Sequence, residues 1–115
     1  MKQEEKELLK DLCARLPYEV KCDIEFDDGK VFHKRILMPI MIQDLKSCES
    51  LKAIKPYLFP FSSMTKEQEK ELTYIIIDDL GTEMLVIDWY NKNHFDYRGL
   101  IKEGLAIDAT DLNIY

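Results

Sequence analysis

The sequence predicts an α+β domain. Residues 3–15 carry apolar side chains at helical period, and residues 18–26 alternate strictly between apolar and polar. Further helix start and stop signals gather after residue 62. The expected architecture is an N-terminal helix, an antiparallel β-hairpin with one or two further short strands, and two to three C-terminal helices. There is no repeat, low-complexity stretch or Gly/Ser linker in the 115 residues, so one domain over 1–115 is expected.

In the first helix Leu8, Leu9, Leu12, Cys13 and Leu16 are expected inside. Glu4, Glu5, Lys6, Glu7, Lys10 and Asp11 are expected on the wet side. Early glutamates and the late Arg15 suit the helix dipole, and Pro17 stops the helix.

In the strand that follows, Tyr18, Val20, Cys22, Ile24 and Phe26 share the apolar face. Gly29 closes Asp27-Asp28-Gly29 as a turn with positive φ, and a second strand returns over about 31–38. A three-residue loop sets Ile24 opposite Phe32 and Val20 opposite Ile36, and it also sets Lys21 against Arg35. A two-residue loop would instead oppose Cys22 to Arg35, so the first register is preferred.

The run Ile36–Ile42 reads as a strand buried on both faces and interrupted at Pro39. A short helix is expected over 47–54, then an extended segment around Pro56 and Pro60. Thr65 and Gln68 fit a capping box for a helix to about Asp78 that buries Leu72, Ile75 and Ile76. Tyr74–Ile77 favours strand and competes with that assignment. Gly81 and Thr82 bound a helix over about 83–93. Asp96 caps a short one over 97–103, which Gly104 ends. A short strand or docked tail follows at Leu105–Ala109.

Composition excludes several functions. A net charge of −6 disfavours binding to a nucleic-acid backbone, which needs clustered cations. Three cysteines (Cys13, Cys22, Cys48) make an odd set that argues against a disulfide framework. No apolar signal core and no membrane-length apolar run are present, so a cytoplasmic location with reduced thiols is expected. His33 and His94 lack His or Cys partners at helical spacing, and the four glycines stand alone. Neither a metal, a cofactor nor a phosphate loop is expected.

The densest chemistry lies in Trp89–Gly99, where Trp89, His94, Phe95, Asp96, Tyr97 and Arg98 fall at a helix–turn–helix junction. These residues suit a recognition surface for a protein partner, because Trp, Tyr and Arg dominate hot spots. They also suit a small hydrolase or transferase in which Asp96 orients His94. The plainer reading makes Trp89, Phe95 and Tyr97 core and Asp96 a helix cap. An acidic nucleic-acid mimic or inhibitor is a further alternative, resting on the charge alone.

Three stretches carry a resemblance: Leu9–Tyr18, Ile54–Pro60 with Ser62–Thr65, and Asn91–Ile107. They resemble a family of small uncharacterised proteins encoded in gut Bacteroidales genomes, their phages and mobile elements. The resemblance covers about the first twenty residues and most of the second half, and not 27–53. It implies a phage or mobile-element setting and assigns no reaction and no site residues. The leading expectation is therefore a non-enzymatic protein-interaction module.

Overall fold

Leu8 and Leu12 stand one turn apart, so a helix presents both to the same neighbour. In a computed structural model, which describes residues 3–47, 51–78 and 83–115, that helix is α1 (Gln3–Arg15). A short 3-10 turn at Leu16–Tyr18 follows it around Pro17. The chain continues as β1 (Lys21–Phe26), β2 (Val31–Ile36), α2 (Pro39–Ser47) and β3 (Leu51–Leu58). It ends in α3 (Lys66–Asp78), α4 (Glu83–Lys92) and β4 (Ile107–Asp108). The mixed sheet has the order β2-β1-β3-β4, antiparallel except for the β3–β4 pair, and the fold class is α+β as expected.

The main core lies between one sheet face, α1, α2 and the turn after residue 99. Leu8, Leu12, Cys22, Ile24, Ile54 and Leu58 are at its centre. On the opposite face Tyr57, Ala109 and Ile114 form a smaller cluster. The strand pattern of β1 holds, with Val20 and Cys22 buried.

The β1–β2 hairpin departs from the preferred register. Phe26 and Gly29 close the turn through Gly29 N–H to Phe26 C=O at 3.0 Å, with Gly29 at φ 89. Ile24 faces Phe32 as expected, but Lys21 then faces Ile36 and Cys22 faces Arg35. A bulge between Cys22 and Ile24 sets His33 and Lys34 against Asp23 alone, with Lys34 at φ 57. The expected register would have set Lys21 against Arg35, and the bulge removes that like-charge pair. It also swaps faces: Arg35 takes the side of Phe32, its guanidinium 5.4 Å from that ring's centre, and Ile36 turns to the other side, all of β2 remaining exposed.

Other expectations need correction. The run 36–42 is not a strand buried on both faces. β2 ends at Ile36 and Pro39 opens α2, where a missing N–H costs nothing. The helix expected over 47–54 gives way to strand from Leu51, where residues pair with β1 and bury Leu51 and Ile54; 48–50 lie outside the described residues. Residues 97–103 form a turn, not a helix; Gly99 at φ 75 breaks the helical path. Cys13 is exposed, since the buried side of α1 runs through Leu8, Asp11, Leu12 and Arg15. Asp11 is buried, not solvated. In α3, Leu72 and Ile75 are half-buried and Ile76 is exposed. Thr65 and Gln68 do form the reciprocal capping box. Gly81, Thr82 and Cys48 lie outside the described residues.

Candidate functional site

The end of α4 is built by backbone geometry. Asn93 N–H bonds back to Trp89 C=O, and His94 takes a left-handed φ of 62 that turns the chain out of the helix. The turned segment pairs with the end of β3: Phe59 N–H donates to His94 C=O, and Asp96 N–H donates to Phe59 C=O. This inserts Phe95 into the interior, stacked on Trp89 at 5.5 Å between ring centres. Trp89 Nε1 donates to Glu71 at 3.0 Å, which ties α4 to α3.

Of the six residues singled out in the sequence, Trp89, His94, Phe95 and Asp96 are buried, and Tyr97 and Arg98 are half-buried. His94 and Asp96 do not pair. Both Asp96 carboxylate oxygens accept backbone N–H groups, from Leu100 and Ile101, at 2.9 Å each. His94 stacks on the Tyr115 ring at 3.8 Å, and its Nδ1 has no hydrogen-bond partner. Burial, assisted by the nearby Arg15 charge, pushes the His94 imidazole down to about 4. A histidine held neutral and unaligned with a carboxylate lacks the arrangement that general-base catalysis needs.

Beneath this segment lies a charge network that joins distant parts of the chain. Arg15 Nε meets Asp11 at 2.8 Å with both side chains wholly excluded from solvent, and Arg15 Nη2 donates to Phe95 C=O. Arg98 Nε lies 3.3 Å from the other Asp11 oxygen, and its Nη1 reaches Glu7. Both guanidinium groups lie over the Tyr97 ring, 5.3 and 5.1 Å from its centre, while its hydroxyl donates to Asn91. Burial raises the Asp11 carboxyl above its ordinary range, against the opposing pull of Arg15. The network fixes α1 to the base of α4.

Outward from that base, α3 and α4 leave large apolar side chains in water. Tyr74 and Ile77 are 69% exposed and Met84 is 83% exposed; Ile76, Leu85 and Ile87 each exceed 40%. A shallow groove of about 440 Å³ runs along α3 between Lys66, Lys70, Thr73, Tyr74 and Ile77, with Glu69 at its side. The sequence reading put Ile76 inside and offered none of these six residues as an exposed surface. The available signal was the excess of apolar positions, more than one buried stripe can hold.

A second missed cluster lies on the open sheet face. Asp23 accepts from the Tyr57 hydroxyl and lies 2.8 Å from His33 Nδ1, an arrangement created by the bulge. Burial opposes the Asp23 charge, but the Tyr57 and His33 hydrogen bonds outweigh it and lower its pKa. Among the described residues no three His, Cys, Asp or Glu side chains gather as a metal site. Nor is any helix among them long and apolar enough to cross a membrane.

No family model, curated protein or solved structure matches the chain.

Proposed function

We propose that this chain is a non-enzymatic interaction module that docks a protein through the outer surfaces of α3 and α4. The observation that carries the reading is the six-residue apolar face from Tyr74 to Ile87, held on a buried base. Folded monomers rarely leave this many large apolar side chains in water on two adjoining helices, and clusters of this kind mark interaction surfaces. The Trp89–Arg98 segment then serves as the root of the docking surface. The sequence resemblance described above supports a phage or mobile-element setting. The odd cysteine count supports a reducing, cytoplasmic compartment.

The test is site-directed photo-crosslinking in cells. A photoreactive residue at Ile77 or Met84 is expected to form a discrete adduct with a protein. The same group at Lys10, exposed on α1, is the control. Equal absence of adducts from all three positions would remove the reading.

A further inference from the structure

We propose that the cavity between α1, α2 and the start of β3 binds a small amine with an apolar body. The site lies apart from α3 and α4 and stands independently of the docking reading. Three observations carry it.

The first is volume. The cavity measures about 310 Å³, and Leu8, Leu9, Leu45, Ile54 and Leu105 wall it. Leu8 and Ile54 belong to the buried core, and the other three pack against it. Close-packed interiors rarely leave a gap larger than a water molecule, because the lining then forfeits its dispersion contacts. An apolar cavity of roughly 150 Å³ can hold benzene, so this one accommodates a molecule of about ten to twelve heavy atoms.

The second is the strand beside it. Among the described residues β4 flanks β3 only at Tyr57 and Leu58, so the start of β3 has no strand on its second side. The pairing with β1 passes from Glu25 opposite Ala53 to Phe26 opposite Leu51, which leaves Lys52 as the extra residue of a bulge. Bulges re-aim side chains beside binding sites. Lys52, Ala53 and Ile54 therefore all line the cavity, although strand neighbours ordinarily alternate between faces.

The third is charge. Glu5 and Lys52 are the only charged side chains in the lining, and both are exposed at its mouth. Lys52 already pairs with Glu25 at 3.6 Å. Glu5 has no ion pair or hydrogen bond among the described residues. Glu4 and Lys6 beside Glu5 cancel, as do Lys102 and Glu103 before Leu105, and none of these four lines the cavity. The mouth thus carries one uncompensated carboxylate, which a ligand cation satisfies and a ligand anion opposes.

Amide NMR titration of the full chain tests the proposal with 3-phenylpropylamine, 3-phenylpropanol and 3-phenylpropanoate, which share one body. Saturable shifts are expected at Leu8, Ile54 and Leu105 over about 0.05–5 mM. The amine should bind roughly fivefold tighter than the acid, the size of an exposed ion pair, with the alcohol between them. Glu5→Gln should erase the amine's advantage and leave alcohol binding unchanged. Ala53→Met and Leu105→Trp, which each fill the cavity, should weaken every probe about tenfold or more with unchanged circular dichroism. The absence of saturable shifts with any probe overturns the proposal, as does saturation that maps to other residues. An acid bound as tightly as the amine overturns it too, and so does undiminished binding by a folded, cavity-filled variant. Should neither filled variant fold, the wild-type shift map and Glu5→Gln still decide.

Discussion

Arg15 donates through Nη2 to the carbonyl oxygen of Phe95 at 2.5 Å, eighty positions away in the chain. The bond joins the end of α1 to the segment that terminates α4. It is why the second half of the molecule has a fixed base. With Asp11 beside it, the arrangement is a buried ion pair whose partners cannot be separated cheaply.

Arg15→Met should therefore cost about 3 kcal/mol, because Asp11 is left buried without its main partner and must either carry an uncompensated charge or take up a proton. Arg15→Met with Asp11→Leu should recover much of that loss, since no buried charge then lacks a counterion. Urea denaturation of both variants reads the difference.

His94 makes stability depend on pH. Its pKa is about 4 when folded and 6.5 when free, so between these values the unfolded chain binds the extra proton. Stability then rises with pH across that window and is lost as pH falls from 6.5 to 4, by up to about 3 kcal/mol. His94→Asn keeps a residue that tolerates the left-handed backbone and removes the titration. Its stability should be flatter over the same window in denaturant titrations.

Lys34 occupies a left-handed conformation in the β2 bulge. Lys34→Gly should raise stability by about 0.5–1 kcal/mol, and Lys34→Val should lower it by at least as much. Thermal melting checks both signs.

Thr65 accepts from Gln68 N–H at 3.1 Å, and Gln68 returns the bond to Thr65 N–H at 2.9 Å. Thr65→Ala should cost about 1 kcal/mol. Because α3 is largely exposed, the loss should appear as faster amide exchange in α3, with little change in β1 and β3.

The elements legible in the sequence were those set by local pattern: α1, β1, the Gly29 turn, the capping box and the extent of α4. Period, punctuation and caps act over a few residues and need no knowledge of neighbours. What could not be read depended on partners far along the chain. Asp11 reads as a wet-face residue until Arg15 and Arg98 surround it. Residues 51–54 become a strand because β1 offers an edge, against a local pattern that suggested helix, while 55–58 continue it as the extended segment expected around Pro56. The composition of the Trp89–Arg98 segment was visible, but its burial followed from the pairing of Phe59 with His94 and Asp96.

The kink at His33 and Lys34 also bears on how the protein behaves in a crowded cell. β2 is the outermost strand on its side of the sheet, and its rim shows Val31, Phe32 and Ile36. A flat rim of that kind invites strangers to add strand upon strand into fibrils. The left-handed lysine interrupts the row of amide groups, and Lys34 and Arg35 add repulsion between like rims. Straightening that rim by deleting Lys34 would be expected to turn a well-behaved protein into an aggregating one.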